Sequence, residues 1–372
     1  MSSALDEARQ SINAIDRQMA ELFVQRMAAA STVAAYKAEH GLPILDKERE
    51  EQVIRQNAAR IDDDAIRSHY VTFQRETMAV SRAYQAEILS GVRVAYCGVE
   101  GAFAHIAAKR IYPTEQTVSY KSFEDAYHAA EDGTCHCAVL PIENSTGGEV
   151  GQVIDLLFSG TLYISAVYDL SVRHQLLALP GAALGDIRRV YSHPQALHQC
   201  GAFLHRCDLE PVACTNTAVA AKQVAESGDR SIAAIASRET AALYGLEILK
   251  ENINETACNT TRFAVLTRAE SRQKEEFGMR TMLFFSVSHH AGALAEAIRL
   301  IGKHGFNMVS IRSRSFKELL WQYYFAVELD GNAYTPAGQA MLDDLSVCCD
   351  RLRVVGVYPN DRSIDAFEED AE

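Results

Sequence analysis

The 372-residue sequence contains no C-x-x-C pair and no G-x-G-x-x-G run, and its 36 Lys and Arg are outnumbered by 49 Asp and Glu. Nine cysteines at spacings that suit neither zinc nor a disulfide framework argue against a metal ribbon and a cross-linked scaffold. "CHC" at 135–137 and the vicinal Cys348-Cys349 read as reduced thiols. The missing glycine fingerprint removes the usual dinucleotide signature. A net charge of −13 removes nucleic acid as a partner, so any anionic ligand must be held by local arginines against the overall field. No apolar run approaches a membrane span, and "MSSALDEARQ" has no basic stretch leading into an apolar one. The expected compartment is cytosolic, with no membrane partner and no metal or organic cofactor.

Glycine and proline are nearly absent from residues 1–89, which hold only Gly41 and Pro43. Leu5, Ile12, Ile15, Met19, Leu22 and Val33 recur at helical spacing, which predicts a helix from about residue 4 to Glu39. Asp46 is placed to cap a second helix, and a third is expected from Asp64 to Leu89. From Val92 to about Arg268 the texture alternates: "RVAYCG", "CAVLPI", "LYISAVYDLSV", "RRVYS", "SIAAIAS" and "RFAVLT" are separated by helical patterns. The expectation is an α/β domain with largely parallel strands. After a charged linker at 268–278, the order βαββαβ predicts an α+β, ferredoxin-like domain to about residue 360. Residues 361–372 form an acidic tail expected to be disordered.

A first helix about 50 Å long is twice the width, about 25 Å, of a three-helix module of this size folding alone. Its apolar stripe therefore calls for a second copy. Arg9 and Arg26 are seventeen residues apart, about 25 Å along the helix, and cannot grip one small ligand within one chain. An antiparallel second copy brings Arg9 beside Arg26. Lys37 lies three turns beyond Arg26, and Ser81 and Gln85 form an i, i+4 strip on the third helix. Taken singly, each of these fits a solvated helix surface.

In the middle segment, "YCGVEGAFAH", "VLPIENSTGGEVG" and "VYSHPQALHQC" each follow a strand-like run and open a helix. Gly98 and Gly101, then Asn144, Ser145 and Gly147-Gly148, then Ser192, His193 and Gln195, present hydroxyls, amides and free backbone N–H groups. Singly they are turn and capping chemistry; with "CTNTA" at 214–218 they outline one cleft suited to carboxylates. "NTTRF" (259–263) enters an apolar strand through hydroxyls and an arginine with no nearby charge partner.

Arg9, Arg26, Lys37, "PILDKERE" with Asp46, Arg49 and Glu50, and "SRAYQ" with Ser81 and Gln85 resemble the all-helical chorismate mutases. The resemblance implies an intertwined dimer in which Arg26, Arg9 of a second copy and Ser81 hold two carboxylates. Lys37 and Gln85 then meet the ether oxygen, and Glu50 and Asp46, supported by Arg49, receive the ring hydroxyl. The middle segment resembles prephenate dehydratase, which implies a two-lobed fold shared with periplasmic binding proteins. Thr261 then matches the catalytic threonine of the Thr-Arg-Phe motif, with Asn144, Ser145 and Arg262 around the substrate. The family's first loop carries hydroxyls where this chain has Ala102 and Ala104, so only backbone donors carry over there. The last segment resembles an ACT regulatory domain. That implies L-phenylalanine at Gly292, Ala293 and Leu294, with Ser313 and Arg314 from a second motif that reads "RSRS". Arg312 reverses the family's usual glutamate there. Trp321 is expected in a sheet core. Together these imply a bifunctional enzyme taking chorismate through prephenate to phenylpyruvate. Two alternatives stand beside it: a sensor without catalysis, and a dehydratase whose helical segment only dimerises.

Overall fold

The computed structural model describes residues 3–256, 258–272, 275, 277–315 and 323–365. They form two compact units, Met1–Arg93 and Val94–Glu372. The first is three helices: α1 (Ala4–Glu39), α2 (Lys47–Ala58) and α3 (Asp64–Ser90). Ser3, Asp46 and Asp63 cap them by accepting backbone N–H groups, and the chain turns after α1 through Gly41 at φ +63°. Met27, Ala30 and Ala34, one stripe of α1, are buried with Ile54 and Ala58 of α2 and Met78 of α3. Every residue from Ser3 to Gln25 is exposed. Over that stretch Leu5, Ile12, Ile15, Met19 and Leu22 are 43–62% exposed, at seven-, three- and four-residue steps.

The second unit starts with a lobe of β1 (Arg93–Cys97), α4 (Phe103–Ile111), β2 (Gln116–Tyr120), α5 (Phe123–Glu131), β3 (Cys137–Asn144), β4 (Gly148–Glu149), α6 (Gly151–Ser159) and β5 (Tyr163–Ser171). A second lobe follows: β6 (Gln175–Ala178), β7 (Arg189–Ser192), α7 (Pro194–Gln199), α8 (Gly201–Arg206), β8 (Glu210–Ala213), α9 (Thr217–Ser227), β9 (Ile232–Ala236), α10 (Arg238–Tyr244) and β10 (Glu247–Lys250). The chain then returns to the first lobe as β11 (Thr260–Thr267). The two sheets run β2-β1-β3-β11-β5 and β10-β6-β9-β7-β8. Neither is largely parallel, contrary to the expectation from strand–helix alternation. β1/β3, β7/β8 and β7/β9 are parallel, but β11 is antiparallel to both β3 and β5, and β6 to both β9 and β10. The strands that pair antiparallel are those next to the two crossings between lobes, where the chain arrives from the other lobe instead of over a local helix.

The βαββαβ order is present as β12 (Met279–Val287), α11 (Ala293–Lys303), β13 (Asn307–Ser315), β14 (Tyr323–Asp330), α12 (Pro336–Cys348) and β15 (Cys349–Pro359), in a sheet ordered β13-β14-β12-β15. Met282, Phe284, Tyr324, Val355 and Tyr358 share one apolar core with Leu140, Leu157 and Ile164 of the first lobe. Gly356 lies so close to the Ile164 carbonyl of β5 that any side chain there would collide with backbone. Part of the expected free tail is docked: Asp169 N–H donates to Arg362 O and Ile364 N–H to Asp169 O, Ile364 is buried, and the Asp365 carboxylate accepts from Ser171 N–H and pairs with Arg110. Alternating backbone bonds and one buried isoleucine outweigh the acidic composition. Trp321 and residues 366–372 lie outside the described residues.

Candidate active sites

In the helical unit, α3 carries Thr77, Ser81 and Gln85 at successive turns. Arg26 reaches the Thr77 carbonyl at 3.4 Å, which brings this cation to the strip. Ser81 and Gln85 are buried, and Gln85 donates weakly to the Ser81 carbonyl at 3.3 Å. Gln85 Oε1 is buried with no hydrogen-bond partner among the described residues, an open valence in a polar strip. Lys37 donates to Ile44 O at 2.6 Å, in the loop before α2. Glu50 is held by Arg82 through bonds of 2.6 and 2.5 Å. Arg82 is thus the residue that supports Glu50, the role expected of Arg49, whose guanidinium instead bonds Gln52. The reason is helical phase: Arg49 and Gln52 are three apart on α2, whereas Arg82 faces Glu50 across the α2–α3 packing. Asp46 is occupied as the α2 cap, accepting from Arg49 N–H. Arg9 sits on the exposed half of α1 and joins none of these groups within the chain.

The second cluster lies where the lobes meet. Asn144, at the end of β3, accepts from the backbone N–H groups of Thr146 and Gly147 through Oδ1, at 3.1 and 2.7 Å. Backbone N–H can only donate, so the Asn144 amide has one possible orientation, and its Nδ2 faces Asn259 Oδ1 (2.9 Å) and Thr261 Oγ1 (2.9 Å). Asn259 must then donate from Nδ2 to Gln199 Oε1 (3.0 Å). Gln199 donates from Nε2 to Thr146 Oγ1 (2.8 Å), and Thr146 donates back to Asn144 Oδ1 (2.7 Å). Four side chains close a ring in which every donor points the same way, from the first lobe to α7 and back. Such one-directional rings reinforce each member. Thr261 hangs on this ring as an acceptor, which leaves its own proton free to donate outward. A cavity of about 450 Å³ opens beside the ring, lined among others by Gly147, Gln195, Gln199 and Asn259.

Several residues expected to bind substrate or effector are hydrogen-bonded within the chain. Asn144 has its amide committed to the ring. The Ser145 hydroxyl donates to Cys258 O and accepts from Thr260 N–H, which pins the start of β11. The backbone donors of the first loop are also used: Gly101 N–H faces His105 Nδ1 and Ala102 N–H bonds Val99 O. Successive strand residues point to opposite faces, so Arg262 turns away from Thr261. It pairs with Glu328 of β14 at 2.6 and 2.8 Å and with Glu143 at 3.3 Å. Burial works against its charge, but Glu328 outweighs that and raises the guanidinium above its ordinary value; Glu328 is lowered in turn, and Tyr358 donates to it at 2.8 Å. Arg314 pairs with Asp155 (2.7 Å) and Glu149 (2.9 Å) in the first lobe, and Arg312 pairs with Glu143. Arg314 therefore belongs to the seam between the two domains, because alternate residues of β13 face the first lobe; Ser313 points the other way and is exposed. Gly292 begins α11 at φ +90°, and Ala293 and Leu294 line a cavity of about 340 Å³ with Ser288, Phe325 and Asp350.

Sequence reasoning missed Arg82, Asn259 and Gln199. Gln199 stands one turn after Gln195 on α7, and that i, i+4 spacing was the available signal. Among the described residues no cluster suits a metal ion and no helix is long and apolar enough to cross a membrane.

Known proteins match both regions. The family model described as prephenate dehydratase matches residues 94–271, and that described as chorismate mutase type II matches residues 8–86. The chain is 30% identical over 370 residues to the bifunctional chorismate mutase/prephenate dehydratase of Neisseria gonorrhoeae, covering 96% of this chain and 99% of that one. Among solved structures, the prephenate dehydratase of Arthrobacter aurescens in complex with L-Phe is 26% identical, covers 72% of this chain and 90% of its own, and superposes with a TM-score of 0.67. A quorum-quenching acylase, GqqA, is 32% identical over 72% of this chain and 98% of its own, also with a TM-score of 0.67.

Proposed function

The chain belongs to the bifunctional chorismate mutase/prephenate dehydratase family, and on that premise we propose which residues carry each activity and what the third domain senses. The mutase step is a Claisen rearrangement, which needs no nucleophile and no proton. It needs a dianion folded into a reactive shape and donors where charge builds on the ether oxygen. Arg26 and Ser81 hold the carboxylates together with Arg9 of a second copy, Lys37 and Gln85 meet the ether oxygen, and Glu50, braced by Arg82, receives the ring hydroxyl. The exposed stripe Leu5–Leu22 supports the second copy: about 26 Å of helix whose heptad-spaced apolar side chains are left exposed by the described residues. An antiparallel copy covers that stripe and carries Arg9 to the incomplete site.

For the dehydratase step, electrons of the breaking bond to the departing carboxylate move into the ring as the ring hydroxyl leaves. The products are phenylpyruvate, carbon dioxide and, with one proton taken up, water. Thr261 donates its hydrogen bond to the departing hydroxyl. The single observation that carries this reading is the polarity of the ring, which makes Thr261 Oγ1 an acceptor from Asn144 and frees its proton for the substrate. The third domain binds L-phenylalanine in the cavity at Gly292, Ala293 and Leu294, where a helix N-terminus meets a carboxylate and Leu294 and Phe325 meet an aromatic ring. The L-Phe complex of the Arthrobacter relative supports that ligand. Arg314 and Arg262 then transmit, and do not bind.

The experiment is a two-product assay on the intact chain, following chorismate loss and phenylpyruvate appearance with and without L-phenylalanine. Conversion of chorismate to phenylpyruvate, slowed by L-phenylalanine, is expected. L-phenylalanine binding with no turnover of either acid would overturn the assignment in favour of a sensor.

A further inference from the structure

A buried histidine, His174, adjoins the ring at Gln199. It lies between β5 and β6, on the first crossing between lobes, and the return crossing staples it there: His174 N–H donates to Asn254 Oδ1 (2.7 Å) and Ile253 N–H to His174 O (2.9 Å). The residue is 2% exposed, and its imidazole packs edge-on against Phe103 with ring centroids 5.8 Å apart and meets Gln199 Oε1 through Nε2 at 3.0 Å. Its Nδ1 is buried with no hydrogen-bond partner among the described residues.

The tautomer follows from the ring. Backbone N–H groups fix Asn144, Asn144 fixes Asn259, and Asn259 fixes Gln199 with Oε1 toward His174. An amide oxygen only accepts, so Nε2 carries the proton and Nδ1 is bare. A bare nitrogen buried without a partner is unfavourable, and an apolar side chain would avoid it. Such a side chain would also leave Gln199 Oε1 with one donor instead of two.

We propose that His174 is a positioning residue of the dehydratase site: as a neutral imidazole it donates from Nε2 to Gln199, locks that amide, and so holds the ring that aims Thr261. It acts through Gln199 and does not touch substrate. Burial lowers the tendency of the imidazole to take a second proton, which favours the neutral form. The inference rests on the reading of Thr261 as the donor.

The test compares His174→Phe and His174→Gln in the full chain, with mutase activity as the internal measure of folding and Thr261→Val as the reference. Gln offers an amide N–H at the same reach as Nε2, whereas Phe offers none. His174→Phe is expected to lower dehydratase kcat by roughly ten- to hundredfold through misplacement of Thr261, with KM changed less than about threefold, while His174→Gln recovers most of the loss. Dehydratase kcat unchanged in His174→Phe would overturn the proposal, as would equal loss in both variants, which would make the imidazole itself the active group. Should His174→Phe fail to fold, 15N spectra of the unsubstituted chain decide: Nε2 protonated and Nδ1 bare is expected, and the opposite tautomer or an imidazolium contradicts it. Near-normal activity in Thr261→Val would sink the underlying reading instead, and the two failures are thereby distinct.

Discussion

The helical unit and the two-lobed domain solve the same problem, holding a small dicarboxylate, in opposite ways. In the helical unit the polar groups are left open: among the described residues Gln85 Oε1 has no hydrogen-bond partner, Arg9 lies on the exposed half of α1, and an apolar stripe is exposed. In the two-lobed domain they are closed on one another, Asn144 to Asn259 to Gln199 to Thr146 and back. The difference follows from chain geometry. A helix lays side chains out at 1.5 Å per residue, so groups that must converge are scattered along it unless a second helix returns beside them. Strand ends and loops gather residues 115 apart in sequence, such as Asn144 and Asn259, into hydrogen-bond contact. On the proposed reading the first kind of site needs a second copy of the chain, whereas the second draws its groups from one.

The largest expected effect breaks the two regions apart. Thr261→Val should cost dehydratase kcat about 10²–10⁴-fold and leave the mutase within twofold, while Lys37→Ala should cost the mutase a similar factor and spare the dehydratase. Both rates are read from one two-product assay. A smaller effect sharpens the role of the seam. Glu328→Gln leaves the buried Arg262 short of its main counter-charge and should destabilise the Val94–Glu372 unit by about 3–5 kcal/mol in urea unfolding. On the proposed reading it should also weaken inhibition by L-phenylalanine, because Arg262 adjoins Thr261 on β11 and pairs with Glu328 on β14 of the C-terminal domain.

The smallest effect is in pH. His174 holds its second proton less readily folded than unfolded, because burial disfavours the charge. The unfolded chain therefore takes that proton first as pH falls below about 6.5. Above that value His174 contributes no slope; below it, stability falls by at most about 1.4 kcal/mol per pH unit for one proton. His105 is shifted the same way, also by burial. The component from His174 is thus the difference in slope between the unsubstituted chain and His174→Gln, measured by unfolding at pH 5–7.

The sequence made the helical unit legible almost to the residue, since its signals are local: a cap at Asp46, a break at Gly41-Pro43, an apolar stripe at helical spacing. In the two lobes six strands were legible as β-rich runs, whereas β2, β4, β6, β8 and β10 were not. Thr261 was legible through its motif. The ring around it was not, because Asn, Gln and Thr at loop positions read as turn chemistry until the fold pairs them. Arg262 looked like a ligand contact because no counter-charge stood near it in sequence, and Arg314 because of the effector motif it resembles; Glu328 lies 66 residues on from Arg262, and Asp155 lies 159 residues before Arg314. Composition misread residues 361–365, where Ile364 and backbone bonding to β5 outweigh the acidic character.

The most direct measurement of the contrast is complementation by subunit mixing. Arg9→Ala and Lys37→Ala chains, each inactive as a mutase alone, are unfolded together, refolded and assayed. If the site is shared between copies, half of the dimers are mixed and each holds one intact site of two, so roughly a quarter of the mutase activity returns. The parallel mixture of Thr261→Val and Asn144→Ala chains should regain no dehydratase activity, since that site lies within one chain. Return of the dehydratase, or failure of the mutase to return, would contradict the account.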